Sequence, residues 1–351
     1  MADALRTASQ VSRRAPQAGN DAPHLDGWLS GMGQRLRERI AALHDTPARM
    51  ALRITNMAPV RRHLSRRYQK ALASHHQSLP LTHPIDREIV KGLRRDGVFV
   101  TDIASLACEN SQEVLQLATT LAESFAPEAR RQVAAGKDFV IVPPDELLRR
   151  PEIFRWGLQS RLMAIAEAYI GLPIGYDGVS LNYTVADGRE VSTRRWHRDW
   201  EDRRMLKVAV YLNDVDEDGG PFQMIKCREA VQDDATGFTY EVSTDQDLAV
   251  RLGDDFHERI HSCTGKAGTV VFTDTAGYYH RGKPAVTRDR KALFYSYFAR
   301  TPRHPFFCER SGLSRRDLRM MLPGLNSAQR AAVEWRKTVP LYASFIPPAR
   351  L

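Results

Sequence analysis

The sequence predicts a mainly β protein backed by helices, an antiparallel barrel or sandwich. Three observations predict it. Helix-spaced apolar residues are confined to the first half of the chain and to its end. From Val179 onward, short runs rich in β-branched and aromatic residues dominate. Asp/Gly/Pro turn signals separate those runs, and helices followed by many short strands suit a barrel or sandwich with helices on one side.

Taken in order, residues 1–25 are rich in Ala, Ser, Arg, Gln and Pro without periodicity and read as disordered. From Trp28 to His44, Leu29, Met32, Leu36, Ile40 and Leu43 recur at three or four, a helical spacing with Arg35, Arg37 and Arg39 toward solvent. A second helix is expected from about Val60 to Ser74. Leu79-Pro80-Leu81-Thr82-His83-Pro84 reads as a linker that closes a basic helical extension over 26–84. The body is expected over 85–305. It opens with a short amphipathic helix, Ile85–Arg95, an Asp96-Gly97 turn and the β run Val98–Val100. Residues 111–126 and 151–170 read as helices, the latter opening at Pro151. Strands are expected at Val179–Val185, Arg194–Asp199, Leu206–Asn213, Pro221–Lys226, Thr269–Phe272 and Lys291–Phe298. Asp187-Gly188, Asp218-Gly219-Gly220 and Gly282-Lys283-Pro284 mark turns, and Glu241–Ala249 reads as an insertion over the barrel mouth. The tail, 306–351, is expected to be helical from Ser314 to Thr338 with a break at Pro323-Gly324.

The composition is that of a globular chain: 351 residues, 42% hydrophobic and 26% charged. No apolar run is long enough for a membrane span, and the polar N-terminus lacks the apolar region of a secretory signal. Cys108, Cys227, Cys263 and Cys308 form no CxxC pair and read as reduced thiols of a cytoplasmic protein. The net charge of +9 is uneven. Residues 1–80 carry 13 Lys+Arg and 5 Asp+Glu (13 − 5 = +8), which leaves +1 for the rest. That extension reads as a solvated helical face, with a nucleic-acid or membrane surface as the lesser alternative and attraction of an anionic substrate or carrier as a further one.

The chemistry centres on Trp196-His197-Arg198-Asp199-Trp200. In an extended segment, side chains two apart point the same way, so His197 and Asp199 aim at one place. His280, 81 residues after Asp199 and beyond the run Gly268–Asp274, is the candidate third ligand. Two imidazoles and one carboxylate on one face of an ion are the ligand set of non-haem iron(II) oxygenases, which leaves positions open for co-substrate and O2. Ten residues later, Arg290 heads an apolar strand, with Ala292, Phe294, Ser296 and Phe298 on its face. A guanidinium there would pair the far carboxylate of a 2-oxo acid, at about 4 kcal/mol for a pair 4 Å apart in an effective dielectric near 20. Arg288 shares the parity and is the alternative anchor. Asn182, on the preceding strand, is a candidate co-substrate contact, with a structural role as the equal alternative. Trp196 and Trp200 read as core packing before substrate platforms. His257, His261 and Cys263 invite a zinc reading, but no fourth ligand has suitable spacing, and a solvated helix face is the simpler one.

Together these pieces resemble the phytanoyl-CoA dioxygenase-like family of Fe(II)/2-oxoglutarate-dependent oxygenases. The matching stretches are Leu93–Val100, Trp196–Trp200, Tyr211–Phe222, His280 and Arg290-Lys291-Ala292, within residues 85–300. The resemblance implies a double-stranded β-helix. It also implies iron on His197, Asp199 and His280, 2-oxoglutarate on Arg290, and hydroxylation of a small organic or carrier-bound substrate with release of succinate and CO2. Phe222–Arg228 departs from the Pro-Gly-Ser-His stretch often found there, which leaves the substrate open. His197-Arg198-Asp199 also matches the kinase H-R-D triplet. Arg204 stands where that motif needs Asn, and neither a Gly-rich loop nor Asp-Phe-Gly is present. A cupin-like metal enzyme using no 2-oxo acid and a non-catalytic barrel that binds partners are the remaining alternatives.

Overall fold

The computed structural model describes residues 46–228 and 242–349. The readings of 1–25, of Trp28–His44 and of Glu241 lie outside them. Contacts divide the chain into Met1–His44 and Asp45–Leu351, and the description concerns the second unit.

Helix α1 (Ala58–Ser74) follows a shorter helical stretch at 46–56. Beyond it, the expected linker is tied down. Glu167 accepts hydrogen bonds from the backbone N–H groups of Ser78 and Leu79 and from the Ser78 hydroxyl, and pairs with His75 at 3.0 Å. Helix α2 (Pro84–Asp96) starts on a capping box of His83 and Asp86 and stops at Gly97, whose φ of 76° is the left-handed value that glycine takes without strain. Helix α3 (Ser111–Ala134) runs eight residues past the expected end and carries Pro127 within it. The helix expected over 151–170 is broken at Gly157 into Pro151–Trp156 and α4 (Ser160–Ile170). The chain leaves helical conformation at Gln159, whose ψ is 140°, while Gly157 lets it pass against the core rings, since a Cβ there would sit 2.4 Å from the Tyr176 hydroxyl.

Among the described residues there are nine strands: β1 (Val98–Asp102), β2 (Val140–Ile141), β3 (Ile174–Thr184), β4 (Met205–Tyr211), β5 (Phe222–Arg228), β6 (Ile260–Cys263), β7 (Thr269–Asp274), β8 (Tyr278–Gly282) and β9 (Arg290–Ala299). They form two sheets, β1-β7-β4-β9-β3-β2 and β6-β5-β8, with every pairing antiparallel. His197 extends the smaller sheet by bridging to His280. From β3 onward the chain crosses repeatedly between the sheets, and the first and last strands of this series, β3 and β9, pair in the larger one. This is the double-stranded β-helix, flanked by helices.

Strand parity divides the larger sheet. Val208, Val210, Val270, Phe272, Leu293, Tyr295 and Tyr297 face outward under α2, α3 and α4 and belong to the main core. Ala209, Tyr211, Val271 and Ala292 face inward and meet Phe222, Met224 and Tyr278 of the smaller sheet. Both faces are buried, so these strands read as nearly continuous apolar runs.

Several expectations change. Arg194–Asp199 is not a strand. Its start is a 3-10 turn, Ser192–Arg194, and only Trp196 and His197 make isolated bridges, because Trp196 pairs with Ser243 and His197 with His280 without a continuous ladder. Strands β2, β6 and β8 were not expected: each is short, and β8 is interrupted by polar His280 and Arg281. His257 and His261 share no helix face, since His257 lies in the turn Asp254–Arg259 and His261 on β6. Among the described residues the Ser314–Thr338 stretch is three short pieces, Arg315–Met320, Ser327–Val333 and Trp335–Thr338, with the break at Pro323-Gly324 present. The cysteines form no disulfide, and three of the four are buried. No helix among the described residues is long and apolar enough to cross a membrane.

Candidate metal centre

Three of the residues singled out in the sequence converge. His197, Asp199 and His280, all buried, each offer one ligand atom, and these atoms lie within 4.8 Å of one another. The backbone explains how residues 83 apart meet. His197 donates its N–H to the His280 carbonyl at 3.0 Å and accepts from His280 at 2.9 Å, so the two are directly opposed in an antiparallel pair. Their rings lie 4.3 Å apart, centroid to centroid. Asp199, two residues on, is fixed by its own N–H donating to the Thr275 carbonyl at 2.8 Å.

The hydrogen bonds also set the tautomers. Nδ1 of His197 lies 2.8 Å from the Arg195 carbonyl, and Nδ1 of His280 lies 3.2 Å from that of Tyr278. A carbonyl can only accept, so both Nδ1 atoms carry the proton and both Nε2 lone pairs are left for an ion. The His280 Nε2 is 4.0 Å from Asp199 Oδ1. Burial holds the His197 imidazole below its usual range and, with His197 nearby, pushes His280 down to about 3. Burial would raise the Asp199 carboxyl, but Lys207 and the two histidines outweigh it and keep it far below the carboxylate range. Two neutral imidazoles and one ionised carboxylate are the protonation state a divalent cation needs. The donor set fits a transition metal better than calcium or magnesium, which prefer oxygen.

Arg290 is buried on the inner face. Its guanidinium donates to the Gly220 carbonyl and, at 3.2 Å, to the Thr184 hydroxyl. Thr184 is its cross-strand partner on β3. Space for it is left by Gly282, where a Cβ would lie 2.7 Å from Arg290 Nη2. Gly282 stands two residues after His280 on β8, roughly 7 Å along the same strand face. Burial lowers the Arg290 guanidinium, with Tyr211 acting the other way. Arg288, the alternative, is half exposed and pairs with Asp216 at 2.9 Å on the surface, away from the interior. Asn182 pairs with Ala292 on β9, two residues from the Thr184–Arg290 pair and on the same face. Its Oδ1 is buried and makes no hydrogen bond among the described residues.

The tryptophans separate. Trp196 is fully buried among Ile225, Leu248, Phe256 and Tyr279, and its indole N–H donates to Asp245 at the start of helix α5 (Asp245–Leu252). Trp200 packs edge-on against Phe307 of the tail.

Several supporting residues escaped sequence reasoning. Glu201 continues the alternation of His197 and Asp199, is buried, and pairs with Arg310 at 3.3 Å. His304 donates from Nδ1 to the Trp200 carbonyl at 2.6 Å, and Asp177 accepts from the N–H groups of Arg310 and Ser311. His304 and Arg310 thus clamp residues 200 and 201. Lys207 lies 2.6 Å from Asp199 Oδ2. One signal was available for it: a lysine in the middle of the apolar strand Met205–Tyr211.

No family model matches the chain, and no curated protein does. Among solved structures, the iron-bound EctD of S. alaskensis is 21% identical, with 64% of this chain and 80% of that one covered at a TM-score of 0.43. The non-haem alpha-ketoglutarate-dependent epimerase SnoN from nogalamycin biosynthesis is 17% identical over 62% and 84%, at 0.40. HygX from Streptomyces hygroscopicus, with nickel and 2-oxoglutarate bound, is 16% identical over 66% and 92%, at 0.39. This chain itself displays a double-stranded β-helix around a donor set of two histidines and one aspartate.

Proposed function

We propose that this chain is an Fe(II)/2-oxoglutarate-dependent oxygenase that hydroxylates a small organic or carrier-bound substrate. The observation that carries the reading is the convergence of His197, Asp199 and His280 within 4.8 Å inside the barrel. Iron held there supplies activation of O2, with 2-oxoglutarate as the co-substrate that is oxidised to succinate and CO2. The chain's own residues do the rest. Nε2 of each histidine and Oδ1 of Asp199 would hold the ion. Arg290, whose guanidinium fills the space beside Gly282, grips the distal carboxylate in a site where burial strengthens the pair. Thr184 and the Gly220 carbonyl orient that guanidinium, and Asn182, on the same face of β3 as Thr184, donates from its amide N–H2 to the same co-substrate. The inward apolar residues, Phe222, Met224 and Val271 among them, exclude bulk water.

The test is anaerobic addition of Fe(II) and 2-oxoglutarate to the purified chain, watching for the weak visible charge-transfer band, then a substrate screen for succinate release. His197→Ala and Asp199→Ala should each abolish the band. Wild-type iron affinity in both variants would sink the reading. Iron binding unaffected by 2-oxoglutarate would instead favour the cupin-like alternative.

A further inference from the structure

The barrel interior holds a second cation besides Arg290. Lys207 sits in the middle of β4, which is flanked on both sides by β7 and β9. Its cross-strand partners are Thr273 and Ser296, both buried and uncharged. Its side chain is 22% exposed, and Nζ lies 2.6 Å from Asp199 Oδ2. The other oxygen of that carboxylate, Oδ1, is the one facing His280 Nε2. Glu201, the next carboxylate along the segment, is already engaged: Oε1 pairs with Arg310 at 3.3 Å, and Oε2 accepts from the Trp200 N–H at 2.8 Å.

We propose that Lys207 is a positioning residue for the metal centre, holding Oδ2 of Asp199 so that this carboxylate offers a single oxygen, Oδ1, to an ion shared with His197 and His280. The inference rests on the metal-site reading above. Its consequence is stereochemical. An aspartate that chelated through both oxygens would occupy a fourth position, whereas one held at Oδ2 leaves three ligand atoms on one face and the opposite face open. β4 suits the task, because a central strand hydrogen-bonded on both edges cannot slide, and the ammonium is delivered to a fixed point.

The sign of the effect separates this role from simple electrostatics. Removing a cation close to a divalent ion would by itself tighten metal binding. Removing a group that orients a ligand loosens it, by about 10- to 100-fold for partners of this kind. Mn(II) affinity measured by calorimetry on the whole chain reads the difference directly. Lys207→Met should weaken Mn(II) binding by about tenfold or more. Lys207→Arg should recover most of the loss, and Lys207→Gln, which keeps a donor to Oδ2 without charge, should fall between. Thermal unfolding without metal shows which variants are folded, and the Arg and Gln chains keep the comparison open if the Met chain is not. Unchanged or tighter Mn(II) binding in a folded Met or Gln variant overturns the inference while leaving the metal site standing. A wild-type chain that binds no Mn(II) overturns both.

Discussion

Gly282 shows how much a single residue can decide. The Arg290 guanidinium occupies the space its side chain would need, with the nearest nitrogen 2.7 Å from where a Cβ would be. Gly282→Ala therefore forces the guanidinium away from Thr184 and Gly220 while leaving His280, two residues earlier, in its strand. Under the proposed function, 2-oxoglutarate affinity should fall by about tenfold or more, since one misdirected charge-assisted pair is worth about 1.5–3 kcal/mol. Mn(II) affinity should stay close to wild type. Titrating both ligands checks this, and equal losses of the two would contradict it. Arg290→Ala should have the larger effect and remove 2-oxoglutarate-dependent O2 uptake, whereas Arg288→Ala, which loses only a half-exposed pair with Asp216, should not.

Among the elements, α2 and the linker before it carry specific predictions. Gly97 ends α2 at φ 76°, and a Cβ there would lie 2.4 Å from the Tyr278 ring. Gly97→Ala combines left-handed strain, about 1 kcal/mol, with a clash against a residue of β8. A loss of more than 2 kcal/mol in urea unfolding is expected, and a neutral result would show that the turn can relax. The linker depends on Glu167, whose four polar contacts hold residues 75–79 against α4. Glu167→Ala leaves two backbone N–H groups without their acceptor, at about 1–3 kcal/mol. Hydrogen exchange should rise first in residues 75–83, with the barrel strands protected.

For the molecule as a whole, buried histidines make stability pH-dependent. Burial, with Arg303 nearby, pushes His304 down to about 3, and its Nδ1 is committed to the Trp200 carbonyl. A histidine free in the unfolded chain titrates near 6.5. Below that pH the unfolded state binds a proton that the folded state refuses, so stability is intact above about 6.5 and falls as pH drops toward 3. Each unit is worth about 1.4 kcal/mol. His304→Gln keeps a donor for the carbonyl and should flatten the acid limb between pH 6.5 and 4 in denaturation series. A variant with the same slope as wild type would assign the acid sensitivity elsewhere. The charge asymmetry is also visible at this scale. Residues 46–85 contain seven Lys+Arg and no Asp or Glu, and most of these cations are exposed.

The fold class and the chemical alphabet of the site were legible in the order of residues alone. Nearly continuous apolar runs such as Met205–Tyr211 and Thr269–Asp274 call for strands covered on both faces. His197 and Asp199 share a direction because an extended chain repeats every two residues. Those are local rules, and local rules are legible in one dimension. Spacing could not tell which of Arg288 and Arg290 turns inward, that His280 opposes His197 across a bridge, or that Lys207, His304 and the tail residue Arg310 brace residues 199–201. Those contacts join residues up to about a hundred positions apart. Their energies come from burial and charge pairing in a shared interior, which no spacing along the chain records.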